Sequence, residues 1–229
     1  MPSQEALLGL LCAIPALVAG LTVHEFAHAW AADRLGDDTP RREGRLSLDP
    51  LVHIDPFGAL FFVIAFLSGY GLGWAKPVMT NPRNLKHPRR DSLLIAIAGP
   101  ISNILQTPIW MFLLFLFGYG AQKMNLDGGS TSAVANLFYL TLLSGITLNI
   151  GLAAFNMIPI PPLDGHWVLQ SLGGRPIEEI FDLIRPYSFI VLILLINFTP
   201  LLSIVLGPVS RFSHELAFQV LQAGQKLAL

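Results

Sequence analysis

Residues 6–32 read ALLGLLCAIPALVAGLTVHEFAHAWAA. The run is longer than the roughly 20 apolar residues that carry a helix across a bilayer core. Within it stand His24, Glu25 and His28. Ionisable groups are expensive at that depth unless they are paired or functional, so their presence calls for a purpose. His24-Glu25-Phe26-Ala27-His28 fits H-E-x-x-H. On a helix the i, i+4 spacing puts both imidazoles on one face, one turn apart, where they can share a metal ion. Glu25 projects beside them, placed to take a proton from an activated water and return it to a leaving amine. Two helix histidines with a chance glutamate would be the bland alternative; the apolar setting argues against it.

Composition extends this reading to the rest of the chain. Of 229 residues 53% are hydrophobic and only 13% charged, against about 25% charged in soluble domains. Mean hydropathy is +0.59. The expected fold class is an all-α polytopic membrane protein. A net charge of -1 gives no electrostatic case for a nucleic-acid partner. The single cysteine, Cys12, excludes an intrachain disulfide and a cysteine-based zinc site. The first run lacks a basic leader and is too long for a signal-peptide core, so it reads as a retained span.

Four further apolar stretches follow at about Phe57–Gly73, Ser92–Gly118, Ser132–Ile158 and Tyr187–Leu206. The expectation is about four full transmembrane helices plus a marginal second stretch, 57–73, which ends in Ser68-Gly69-Tyr70-Gly71-Leu72-Gly73. Arg34, Arg41, Arg42 and Arg45 precede that stretch; Lys76, Arg83, Lys86, Arg89 and Arg90 follow it. Basic loops favour the cytoplasmic side, so both its ends belong there, and 57–73 is expected to re-enter or form a short hairpin. Irregular backbone at that depth needs protein or a water-filled cavity around it. Arg45-Leu46-Ser47-Leu48 alternates and predicts a short β-strand after the first span. Residues 210–229 predict an amphipathic surface helix or a packed end. We expect one membrane-embedded domain, 1–229, with a core at about 6–170 and a C-terminal span and amphipathic tail at 187–229.

A catalytic zinc site takes a third protein ligand and keeps an open position. The strongest candidate is Asp164, in Asn156-Met157-Ile158-Pro159-Ile160-Pro161-Pro162-Leu163-Asp164-Gly165. The prolines end the fourth span near the same predicted face as the histidines. Asp33, the first loop charge, follows His28 by five residues, about 8 Å of helix, which sets the site below that cytoplasmic face. His53 and His166 are second-choice ligands; His87 and His214 read as solvated or structural. Asn103, after Gly99-Pro100, reads as helix packing. Histidine and aspartate in spans also suit a metal-binding transporter or sensor, the alternative function.

At HEFAH, AGPISN (Ala98–Asn103) and NMIPIPPLDG the chain resembles the site-2 protease family of intramembrane zinc metalloproteases. GWAKPV (Gly73–Val78) followed by Asn81-Pro82 resembles its compact prokaryotic branch. The likeness covers most of residues 20–170. It implies Zn²⁺ held by His24, His28 and Asp164, Glu25 as the catalytic glutamate, and regulated cleavage of transmembrane protein substrates in the plasma membrane. It also implies a role for Asn156 toward substrate or the transition-state oxygen, although a structural hydrogen bond suits an amide there equally well. No stretch is long or polar enough for the PDZ or CBS modules of larger members.

Overall fold

A computed structural model describes residues 4–68, 73–124 and 133–229. Helix α1 spans Gln4–Leu35 and is followed by one turn, α2, Thr39–Arg42. Helix α3 covers Pro56–Ser68, α4 Pro88–Lys123 and α5 Ala133–Asn156. Four more follow: α6 Asp164–Gly173, α7 Arg175–Ile184, α8 Ser188–Phe198 and α9 Leu201–Ala228. Among the described residues three helices, α1, α4 and α5, are long and apolar enough to cross a membrane.

These three pack together, and α9 lies along α4 and α5. The interior is polar where a soluble core would be oily. Asn103 and Asn149 are wholly buried, with His24, His28 and Thr107 close behind, whereas Leu105, Ile109 and Phe112 of α4 face outward. That inversion suits a lipid exterior, where helix contact comes from small residues and internal hydrogen bonds. Leu114, Leu142, Ile146 and Ala217 form the apolar core between α4, α5 and α9. A Cβ on Gly118 would lie 2.6 Å from the Leu221 carbonyl, and one on Gly224 would strike the Phe115 carbonyl. Bare glycines therefore let α4 and α9 approach backbone to backbone.

Two expectations change, and a third narrows to one of its alternatives. The fifth stretch is not one continuous span. Its helix breaks after Phe198, and the α7–α8 unit meets α9 at 69°. Pro200 lacks an amide and disfavours helical torsions in the residue before it; Thr199 is accordingly extended, at φ -128° and ψ 160°. Among the described residues the count is thus three unbroken helices long enough to span, or up to four spans if the bent pair is one. The predicted tail is the packed end of α9, with Ser213, Ala217, Gly224 and Ala228 buried along one face. No β-strand forms among the described residues; a single bridge joins Ile54 and Ala75. Arg45 is the reason the 45–48 alternation fails. Its side chain is buried, and its guanidinium donates to the Val52 and Lys76 carbonyls. The loop wraps this side chain instead of pairing in a ladder.

Helix α3 has 13 residues, about 20 Å at 1.5 Å each, short of a bilayer core. Asp55 caps it by accepting the Gly58 N–H at 2.8 Å. The chain returns to where α3 began: a Cβ on Gly58 would run into the Trp74 backbone, and the Phe61 and Trp74 rings stack at 5.3 Å. The glycine-rich residues 69–72 lie outside the described residues.

Candidate metal centre

His24 and His28 project from α1 one turn apart, with ring centroids 4.7 Å from each other. Asp164 comes to them from the first residue of α6. After α5 ends at Asn156, the proline-rich turn folds back so tightly that a Cβ on Gly165 would meet the Met157 and Ile158 carbonyls. Gly165 thus serves close approach rather than an unusual backbone torsion. The Asp164 oxygens lie 3.2 Å from His24 Nε2 and 3.3 Å from His28 Nε2. The two Nε2 atoms are 3.1 Å apart.

The outer hydrogen bonds decide what those nitrogens are. His28 Nδ1 lies 2.7 Å from the Ile95 carbonyl. A carbonyl only accepts, so Nδ1 carries the hydrogen. His24 Nδ1 lies 2.7 Å from Asn103 Oδ1. The Asn103 amide is oriented by its nitrogen, which donates to the Gly20 carbonyl at 3.1 Å and to Asn149 Oδ1 at 2.9 Å. Its oxygen therefore faces His24, and that Nδ1 also carries a hydrogen. In the neutral imidazoles both Nε2 atoms are then bare lone pairs. Two lone pairs and a carboxylate converge with no hydrogen to share, and Asp164 Oδ2 is buried without a hydrogen-bond partner.

Such a set fits a cation. Spacings of 3.1–3.3 Å match the edge, about 3.3 Å, of a tetrahedron whose ligands stand about 2.0 Å from its centre. Helix α4 leaves room for it at Gly99, where a Cβ would lie 2.6 Å from His24 Nε2 and closer still to His28 Nε2. His24, His28 and Asp164 form the group of potential ligands found among the described residues. His53 and His166 are not in it. The His53 ring bonds the Ser47 carbonyl at 2.8 Å. His166 bonds the Leu163 carbonyl at 2.5 Å and packs on Trp167 and Phe181. Asn103, read from sequence as packing, is a direct partner of His24. Its neighbours Gly20 and Asn149 lie on other helices, and no local signal joins them.

Beside the centre opens a cavity of about 560 Å³, lined by Glu25, Asn156, Trp74, Val78, Phe155 and Trp167 among others. Glu25 Oε2 accepts the Val78 N–H at 3.1 Å. Val78 belongs to a non-helical segment, 75–81, pinned at several points. Arg45 holds the Lys76 carbonyl, and the Lys76 N–H donates to the His53 carbonyl at 2.8 Å. Asp37 accepts the Asn81 N–H at 2.6 Å, Thr39 Oγ1 at 2.6 Å and Asn84 Nδ2 at 2.9 Å. Burial alone would raise the Asp37 pKa; the bonds from Thr39, Asn81 and Asn84 outweigh it and hold the carboxyl below its ordinary value. Asn156 donates from Nδ2 to the Leu152 carbonyl of its own helix at 3.0 Å, leaving one amide hydrogen and its oxygen beside the cavity.

The family model for peptidase family M50 matches residues 12–196. A Bacillus subtilis (strain 168) protein named "Putative zinc metalloprotease YwhC" is 36% identical over 208 residues, covering 90% of this chain and 89% of that one. The Mycolicibacterium smegmatis "Putative zinc metalloprotease Rip2" is 25% identical over 183 residues, 80% of this chain and 65% of its own. A Methanocaldococcus jannaschii protein, also named a zinc metalloprotease of this provisional kind, is 29% identical over 168 residues, 72% of each chain. No solved structure matches the chain.

Proposed function

The chain belongs to peptidase family M50, the site-2 proteases, as a multi-pass membrane metalloprotease, and from that premise we propose that it cuts peptide bonds within transmembrane segments of other proteins. In this reading His24, His28 and Asp164 hold Zn²⁺, and residues 1–229 act as one membrane-embedded domain. The observation that carries it is the convergence of two hydrogen-free Nε2 atoms and an orphaned carboxylate oxygen at spacings of 3.1–3.3 Å. When bound, zinc supplies a Lewis acid and brings the pKa of water down toward about 7.

The chain's own residues do the rest. Glu25 borders the cavity beside the two histidines, and the Val78 N–H fixes one of its oxygens. Its other oxygen is free to take the proton from the attacking water and deliver it to the leaving amine. The spare amide hydrogen of Asn156 serves the developing oxyanion or the substrate backbone. Trp74, Phe155 and Trp167 give the cavity apolar walls suited to a stretch of membrane helix. That helix must unwind to expose a peptide bond, since helical amides are occupied by their own hydrogen bonds. The basic loops support placing the centre nearer the cytoplasmic face of a plasma membrane.

The test is Glu25→Gln in purified protein reconstituted with a transmembrane substrate. The variant is expected to bind zinc at the wild-type ratio and to cleave at least about 100-fold more slowly. Full cleavage by the variant would overturn the assignment of Glu25 and the mechanism built on it.

A further inference from the structure

We propose that Asn149 is a positioning residue for the metal centre, fixing the Asn103 amide so that His24 turns its bare Nε2 toward the ion. The inference rests on the zinc reading above and concerns a residue that is neither a metal ligand nor part of the cavity lining.

Asn149 lies on α5 and Asn103 on α4, and both are wholly buried. The orientation of each amide follows from the next one outward. Asn149 Nδ2 lies 2.8 Å from the Gly145 carbonyl. That carbonyl accepts only, so the nitrogen of Asn149 faces it and the oxygen faces Asn103. At 2.9 Å that oxygen claims one hydrogen of Asn103 Nδ2, and the Gly20 carbonyl claims the other at 3.1 Å. With both hydrogens taken, Asn103 can offer His24 only its oxygen. His24 must then carry its hydrogen on Nδ1, and Nε2 is left bare. The relay runs from α5 through α4 to α1, so a side chain two helices away, together with the Gly20 carbonyl, holds the tautomer of a ligand. A close α1 backbone helps: a Cβ on Gly20 would sit 3.4 Å from Asn149 Oδ1 and 3.7 Å from Asn103 Nδ2.

A packing role makes the opposite prediction from a positioning role. At a buried site among apolar helices, leucine should pack well and a carboxylic acid poorly. For the relay, leucine removes one of the two acceptors that hold the Asn103 nitrogen, so the amide is held by the Gly20 carbonyl alone and presents its oxygen to His24 less firmly. A neutral aspartic acid keeps an acceptor for Asn103 and a donor for Gly145. Partners of this kind are typically worth 10–100-fold in metal affinity.

The experiment compares wild type, Asn149→Leu and Asn149→Asp in detergent. Zinc affinity is read by competition with a chromogenic chelator, Co²⁺ ligation by visible absorption, and folding by thermal unfolding. We expect Asn149→Leu to stay folded, to bind zinc about 10-fold or more weakly, and to show an altered Co²⁺ spectrum. Asn149→Asp should unfold at lower temperature yet keep affinity within about twofold of wild type. A folded leucine variant with wild-type affinity and spectrum would overturn the proposal, as would loss of affinity in both variants in proportion to their stability. Failure of the wild type itself to bind zinc would instead remove the zinc reading beneath it.

Discussion

The wall behind His24 and His28 is made of helices, whereas the wall beside Glu25 is the non-helical segment 75–81. The first is held by polar groups locked inside a bundle: the Asn103 and Asn149 side chains and the Gly20 and Ile95 carbonyls, all on α1, α4 and α5. The second is held by three anchors from neighbouring loops and helix ends, Arg45, His53 and Asp37, together with Glu25 itself. The difference separates two tasks. On the proposed reading, metal affinity depends on the part that cannot move without unpacking helices, and the proposed base and substrate path depend on the part whose hydrogen bonds can be broken singly. Substitutions in the two walls should therefore fall into two classes, loss of metal and loss of turnover.

The largest expected effect is on the helical wall. In Gly99→Ala the new methyl would stand 2.6 Å from His24 Nε2 and nearer to His28 Nε2, in the space the ion needs. Alanine is the better helix former by about 1 kcal/mol, so α4 itself should not suffer. We expect zinc affinity to drop more than about 100-fold, beyond the usual effect of an outer partner, with a lower thermal unfolding temperature, because overpacking against the two buried rings costs about 1–3 kcal/mol. Metal-to-protein ratios after dialysis would check it. Normal zinc content would show that the helices part easily and that this wall is no more rigid than the other.

How much of this was legible in sequence follows the same division. His24, Glu25 and His28 could be read because helix periodicity places them together, and Asp164 because the prolines stop α5 near the same depth. Asn103 and Asn149 could not be assigned to His24, since the contact crosses 79 positions in one case and a further helix in the other. A buried amide in a span looks the same whether it packs or orients a ligand. Arg45 was misread for a related reason: counted as a loop charge and part of an alternating strand, it is a buried pin for two carbonyls. Thr199-Pro200 carried its own signal for a break, but the apolar residues on both sides hid it within one stretch.

The second prediction concerns the segment wall. Asp37→Ala removes the acceptor for Asn81, Asn84 and Thr39 together. Leaving those donors unpaired should cost about 1–3 kcal/mol, partly recovered where water enters. Zinc affinity should remain within about twofold, because no atom of the helical wall changes. Cleavage should slow by about tenfold, since small misplacements at a reacting centre are costly. Parallel zinc titration and cleavage assays would check the split. Equal losses of metal and activity would mean that the two walls form one unit.

The smallest effect is on pH dependence, and it bears on the same anchor. Asp37 is held below its ordinary pKa in the folded chain by Thr39, Asn81 and Asn84. A carboxylate of that kind adds stability that is present in full above its unfolded pKa, about 4, and is lost as pH falls through the lower folded value. The segment 75–84 should therefore loosen below about pH 4, while α1, α4 and α5 keep their internal hydrogen bonds. Hydrogen exchange by mass spectrometry between pH 6 and 3 would resolve this, after correction for the intrinsic rate. Protection in peptides covering 75–84 should fall earlier in wild type than in α4, and Asp37→Asn should flatten that difference by removing the titrating group. If α4 loosened together with the segment as the acid limit is approached, the anchor would not be local, and the boundary between the two walls would have to be drawn elsewhere.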